Sequence, residues 1–362
     1  MPTRNRLYVH HRGVALVQVL LILTLLSLVA TNIQLAQRQS LDRSVSVLMR
    51  GQAREYLLGA EKMGAQLLYF DGTVTMPGSK YDNTKFDDLA NQLWNGSSTD
   101  TDTDTGLIGP VLLGQGRETE LEQGMAMVQV TDLNRRFNIN WLSDQNPDAD
   151  LMKSSFSRLL DALGINTALA DSVRNWFHQD SGAEYLYTTK EPPYFPPVMP
   201  MSDISELRLV DGMTDDFYDK LKDYVCALPV DMRLNVNTAS AEVLQTVSSS
   251  WTNDNIQKIV DSRKDAPFMS IDEMINTVGF TEDELKGLDE DMLTINSDYF
   301  LVHAEVDLED RLGRLNIPFY IQSVLYRDQN NAVELLSRNL SVTPLDNTAV
   351  SETNTQTQVN IN

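Results

Sequence analysis

The sequence predicts an α+β chain: one long N-terminal helix, an antiparallel sheet for it to lie on, and an all-α segment of helical hairpins inserted between the strands. Three observations predict this. Residues 14–30 read VALVQVLLILTLLSLVA, with 14 apolar positions of 17 and no charge. Alternating segments at 125–130 and 137–139, and again at 299–306, read as strands, with 315–326 and 333–340 as further candidates. Between them, from 148 to about 288, short amphipathic segments broken by Gly and Pro read as helices. Strands on both sides of a helical block are most simply explained by an insertion.

The apolar run comes first in the chain. It sits at the short end of the ~17–25 residues that cross a bilayer as a helix. Arg4, Arg6 and Arg12 precede it, and the first acid is Asp42. The positive-inside rule therefore puts the N-terminal end in the cytoplasm and the body across the membrane. Helical spacing continues through Leu41, Val45 and Leu48, then Tyr56, Ala60, Met63 and Leu67, with a break in phase near Gln52. The helix should thus reach about residue 69, although Gly51, Gly59 and Gly64 weaken it. Its outer half carries one apolar stripe, which needs a sheet to cover it.

Residues 71–124 are rich in turn formers, with brief apolar patches at 107–108 and 111–113 that could be short strands. Asp100, Asp102 and Asp104 imitate the start of an EF-hand loop, but the Gly falls one place late and Val111 stands where a Glu would close it. A polar loop explains them better. The tail from 341 is rich in Thr, Asn, Gln and Ser and lacks periodicity, so disorder is expected there.

The helical block repeats itself. Ile204-Ser205-Glu206-Leu207 and Ile271-Asp272-Glu273-Met274 match at an offset of 67. The same offset pairs Gly212 with Gly279, Thr214 with Thr281, Asp216 with Asp283 and Leu221 with Leu288. Each copy reads as a helix, a Gly turn, a Thr N-cap and a second helix with acids in its first turn.

Composition narrows the function. The chain has 29 Lys+Arg against 51 Asp+Glu, a net charge of −22, with 4 His and 1 Cys. One cysteine excludes an internal disulfide framework and a thiolate cluster, and four histidines leave little for a zinc or haem site. Leu234-Asn235-Val236-Asn237-Thr238-Ala239 followed by helices resembles helix-hairpin-helix modules, which suggests a membrane-anchored DNA-binding protein of an uptake system as the alternative function. Residues 231–290, however, carry 12 acids and 5 bases, and like charge repels a phosphate backbone, so no nucleic-acid partner is expected. No convergent catalytic set emerges, so no enzyme is expected. His303 is read as a sheet residue, Cys226 as a buried thiol in a helical apolar stretch, and Met199 and Met201 as packed under a Pro-rich loop.

Arg12-Gly13-Val14-Ala15-Leu16 resembles the leader of type IV prepilins and pseudopilins, which a prepilin peptidase cuts after the Gly. Phe137-Asn138-Ile139-Asn140, Asn175-Trp176, Gly182-Ala183-Glu184, Pro192-Pro193-Tyr194, Ser205-Glu206-Leu207 and 234–239 follow in order. Together they resemble the minor pseudopilins of type II secretion called protein K, over nearly the whole chain except the tail. The resemblance implies a pilin-like fold and a single-pass inner-membrane protein whose main domain is periplasmic. It implies a non-enzymatic role in capping the pseudopilus tip and initiating its assembly. The implied partners are minor pseudopilins I and J, the prepilin peptidase, the inner-membrane assembly platform and secreted cargo. The expected organisation is a leader at 1–13, a transmembrane helix at 14–34, spine and first sheet part at 35–147, an inserted α-domain at 148–295, the second sheet part at 296–340 and the tail at 341–362.

Three site expectations go with the resemblance. Cleavage falls between Gly13 and Val14, leaving a methylated Val14. Gln18 then stands fifth in the mature chain, where most pseudopilins have Glu. A neutral side chain there cannot form the ion pair that draws a subunit beneath its neighbour, which suits a cap. Calcium is also implied, with Asp180 and Glu184 as hard oxygen ligands, while His178 and Tyr185 replace the usual acids.

Overall fold

The computed structural model describes residues 12–73, 87, 117–121, 124–178, 182–286, 288–308 and 317–341. The patches at 107–108 and 111–113, the aspartates at 100, 102 and 104, the tail, and Asp180 lie outside them. The chain forms two units, one ending at Tyr56 and one beginning at Leu57.

Helix α1 runs over Arg12–Thr73 without a break, four residues past the expected end. In the first unit its apolar side chains are uncovered: Leu20 is 54 % and Leu28 65 % exposed. Leu41, Val45 and Leu48 are exposed as well. In the second unit Leu57, Ala60, Leu67 and Leu68 are buried.

They lie on a five-stranded sheet in the order β1-β2-β7-β8-β9, antiparallel throughout. Strands β1 (Arg117–Leu121) and β2 (Gly124–Asp132) precede the helical block. Strands β7 (Tyr299–Leu308), β8 (Ile317–Arg327) and β9 (Val333–Ser341) follow it. One rung of the ladder, Val130–Val302–Ser323–Arg338, shows how helix and sheet meet. A Cβ on Gly64 would come within 2.9 Å of Val302 Cγ2, so only glycine allows this approach. One turn earlier, the buried Glu61 carboxylate accepts hydrogen bonds from Ser323 Oγ (2.5 Å) and Arg338 Nε (2.7 Å). Burial would raise the Glu61 pKa, but the bonds from Arg338 and Ser323 outweigh it and lower it.

At the end of α1, Arg327 of β8 is buried between two carboxylates. Its Nη1 donates to Asp71 (3.0 Å) and to the Leu68 carbonyl, and its Nη2 to both oxygens of Asp87 (2.8 and 2.7 Å) and to the Ser297 carbonyl. One guanidinium cannot neutralise two buried acids. Burial and the neighbouring Asp87 push Asp71 up to about 8, so at neutral pH this carboxyl keeps its proton.

The helical block has two halves. The first contains β3 (Phe137–Asn138), a 3-10 turn at Ile139–Leu142, α2 (Ala149–Ala162), α3 (Leu169–Phe177), α4 (Glu184–Thr188), a 3-10 turn at Ile204–Leu209, α5 (Asp215–Leu221) and β4 (Val225–Cys226). The second contains β5 (Leu234–Asn235), α6 (Ala241–Leu244), α7 (Asn253–Asp265), α8 (Ile271–Val278), α9 (Glu282–Leu285), a 3-10 turn at Glu290–Met292 and β6 (Leu293–Thr294). β3 pairs in parallel with β4, and β5 with β6, so each half is closed by its own two-residue ladder. Two expectations are corrected here. Phe137–Asn138 pairs within the helical block and not with the sheet. Cys226 is buried as expected, but in a strand and not a helix.

The repeat is real in three dimensions. Gly212 and Gly279 both turn with positive φ (82° and 73°), and Thr214 and Thr281 both cap the following helix. Met201 is buried, whereas Met199 stays 63 % exposed.

Candidate functional site

The functional surface of the first unit is the helix itself. From Val14 to Gln37 no residue is charged, and the described helix is long and apolar enough to cross a membrane. Its polar groups differ in how they are satisfied. Thr24 Oγ1 donates to the Leu21 carbonyl and Thr31 Oγ1 to the Ser27 carbonyl, both at 2.8 Å. Gln18 is exposed, and its amide has no hydrogen-bond partner among the described residues. In hydrocarbon such an amide is costly until another helix supplies a partner. Gly13 and Val14 lie at the start of α1, within its helical backbone.

In the helical block the asparagines of the two Asn-x-Asn segments prove to be braces. Asn140 Oδ1 accepts from the Met201 amide (2.7 Å) and its Nδ2 donates to the Met201 carbonyl (2.9 Å). Asn237 does the same with Phe268, at 2.9 and 3.0 Å. Met201 and Phe268 are themselves 67 residues apart. Asn138 and Asn235 each accept from the amide of the second asparagine, at 3.2 and 2.9 Å. A buried amide side chain that bonds both the N–H and the C=O of one residue mimics a strand neighbour, and it ties distant loops without regular structure.

Trp176 ends α3 fully buried against Tyr187, with ring centroids 5.3 Å apart, and Tyr187 meets Tyr194 of the Pro-rich loop at 5.4 Å. Tyr194 Oη donates to the Leu209 carbonyl at 2.6 Å, which fixes that loop. The Asn-Trp and Pro-Pro-Tyr signatures are therefore packing elements of one aromatic cluster.

The described residues do not make up a calcium site. Glu184 is half-buried at the first position of α4, and among the described residues no three His, Cys, Asp or Glu side chains gather to hold a metal. The carboxylate that meets the end of α3, Asp144, faces Arg174 Nη1 at 2.6 Å and His178 Nδ1 at 3.1 Å, and Arg174 Nε also reaches Asp150. A guanidinium competes with a cation for these oxygens.

The buried groups that sequence reasoning missed are Arg327 with Asp71 and Asp87, and Glu61 with Arg338. The asparagine braces had a signal, the recurrence of Asn-x-Asn at the start of each half.

An uncharged apolar helix that continues unbroken into the spine of a small antiparallel sheet is the plan of a pilin-type assembly subunit. Comparison with known proteins specifies which one. The family described as type II secretion system (T2SS), protein K matches residues 135–230 and, in a second segment, 234–296, which are the two halves of the helical block. Type II secretion system protein K of Pectobacterium carotovorum subsp. carotovorum is 31 % identical over 320 residues, covering 83 % of this chain and 89 % of that one. Its counterpart in Pseudomonas aeruginosa is 27 % identical over 339 residues, covering 91 % and 92 %. The crystal structure of the GspK-GspI-GspJ complex from the enterotoxigenic Escherichia coli type 2 secretion system contains a chain of the same fold. Its TM-score is 0.62 at 20 % identity, covering 83 % of this chain and 99 % of that one. The chain belongs to the type II secretion system protein K family.

Proposed function

We propose that this chain is the minor pseudopilin that caps the tip of the type II secretion pseudopilus and initiates its assembly. On this reading it is a single-pass inner-membrane protein with a cytoplasmic N-terminus and a periplasmic body. Its partners are minor pseudopilins I and J, with the prepilin peptidase and the inner-membrane assembly platform acting on it earlier and secreted cargo meeting it later. The role is one of contact and not of catalysis.

The observation that carries this reading is the uncovered apolar helix, with a Gln18 amide unpartnered among the described residues and no carboxylate in its apolar layer. A helix of this kind gains from lying beside another helix and has no acid with which to pair a neighbour's amino terminus. The test is co-purification of the full chain with I and J from detergent-solubilised membranes. A 1:1:1 complex, together with loss of export on deletion of this chain, is expected. A chain that purifies alone from cells making all three would contradict the proposal. In the same preparations Gln18→Glu is expected to move the chain from the tip into the shaft.

Calcium bound through Asp180 and Glu184 belongs to the same proposal. Calorimetry of the full chain is expected to show weak uptake that Glu184→Gln reduces, and no uptake at millimolar calcium removes the metal from the account.

A further inference from the structure

The sequence motifs make no use of Arg136, which follows β2 and precedes β3. Its side chain is half-buried, and its Nε is completely buried without a hydrogen-bond partner. Its Nη1 donates to the Lys222 carbonyl at 3.3 Å. No carboxylate lies within ion-pairing distance of it among the described residues, whereas the buried Arg327 holds two and the buried Arg263 is bonded to the Val236 carbonyl at 2.7 Å. Burial lowers the Arg136 pKa, yet an arginine stays charged at neutral pH. Asp223 and Asp132 favour the charge from a distance, but burial outweighs them, so a charge in this position is only partly compensated.

Arg136 lines a cleft of about 330 Å³ between the helical block and the sheet. Leu301, Gln322 and Val324 form the sheet wall. The opposite wall holds Lys222 and Arg208, already bonded to Asp219 and Asp215, and Asp203 and Asp223. We infer that this cleft recognises a single carboxylate carried on a polypeptide segment of a partner protein, with the Arg136 guanidinium as its forked anchor.

A guanidinium matches a carboxylate in shape and charge, and that match would offset the desolvation cost the free chain bears. The cleft is far larger than the ~30 Å³ of one water, so a bare inorganic anion would leave most of it wet. Leu301 and Val324 suit the stem of an aspartate or glutamate side chain, and the amides of Gln322 and Asn339 suit the neighbouring backbone. The segment is otherwise neutral or basic, because Asp203, Asp223 and the net charge of −22 repel an acidic run. The partner's being a protein rests on the assembly reading, whereas the site itself is tested on the purified chain alone.

The probe is a blocked pentapeptide, lysine–glycine–glutamate–glycine–lysine, against its glutamine counterpart, titrated into the full chain in detergent. The glutamate peptide is expected to bind about tenfold more tightly, the worth of one hydrogen bond to a charged group. Arg136→Met is expected to remove that preference while the thermal midpoint stays equal or rises, because an unpaired buried charge has gone. Arg136→Lys, which keeps charge but not the fork, should retain part of it. Equal binding of the two peptides, or a preference that survives Arg136→Met, would overturn the site. A lower midpoint in Arg136→Met would also overturn it, by showing that the guanidinium is already satisfied. Inorganic phosphate binding as tightly as the peptide would overturn the polypeptide ligand. Failure of any of these leaves co-purification with I and J unaffected, so the two readings fail separately.

Discussion

The two halves of the helical block use the same asparagine pair for different ends. In the first half Asn138 is spent locally, with Nδ2 donating to the Leu228 and Pro229 carbonyls and Oδ1 accepting from the Leu228 amide. In the second half Asn235 reaches outward. Its Nδ2 donates to the Asp87 carbonyl (3.0 Å) and to Ser297 Oγ (2.9 Å), and Asp87 is the residue that grips Arg327 of the sheet. The first half closes on itself, and the second is welded to the sheet. The first half is also the longer, with 30 more residues between its brace and the loop it holds, and these include α2, α3 and the Pro-rich loop. An element held at one remove can vary in length without disturbing the spine.

The weld can be broken directly. Arg327→Met leaves Asp87 buried and without its cation, and is expected to destabilise the chain by about 3–5 kcal/mol, measured by chemical denaturation. Asn235→Ala and Asn138→Ala should each cost about 2–3 kcal/mol by stranding buried partners. Hydrogen exchange sharpens the comparison: Asn235→Ala is expected to loosen β7 and β8 as well as the second half, and Asn138→Ala the first half alone. If both variants loosen the same amides, the two halves are not held differently.

Two carboxyls should respond to pH in opposite directions. Glu61 has a lowered pKa, so its stabilisation is complete above the usual carboxylate range and is lost as pH falls through its folded value. Asp71, pushed up to about 8, binds its proton in the fold and gives it up when unfolded, so its contribution declines as pH rises from about 4 to 8. Asp71→Asn is therefore expected to be tolerated at neutral pH and to flatten the pH dependence of stability over that window. A loss as large as that of Arg327→Met would show that Asp71 is ionised. The smallest effects belong to the caps. Thr214→Ala and Thr281→Ala should each cost about 1 kcal/mol, and equal losses would confirm equivalent caps in the two halves.

Much of this plan was legible in the sequence for physical reasons. The helix over Arg12–Thr73 follows from an apolar run and a 3–4 stripe, and β7 from alternation, while β8 and β9 fall on the two further strand candidates. The 67-residue offset identified both Thr caps and both Gly turns. Val225–Cys226 read as helix because a two-residue ladder is too short to show a period, and its flanks are apolar. The Arg327 cluster was not visible, because Asp71 and Asp87 lie 256 and 240 residues away from it and nothing local marks them. Gln18 was visible because in a layer without charge any amide stands out, but that its amide lacks a partner among the described residues needed the structure.

All of the assembly account requires the apolar helix to stay in the finished protein. The direct measurement is the intact mass of the chain extracted from membranes of cells that make the prepilin peptidase. Loss of residues 1–13 with one methyl group on Val14 is the predicted result. A chain that still begins at Met1, or one cut beyond Ala30 so that the helix is gone, would contradict it.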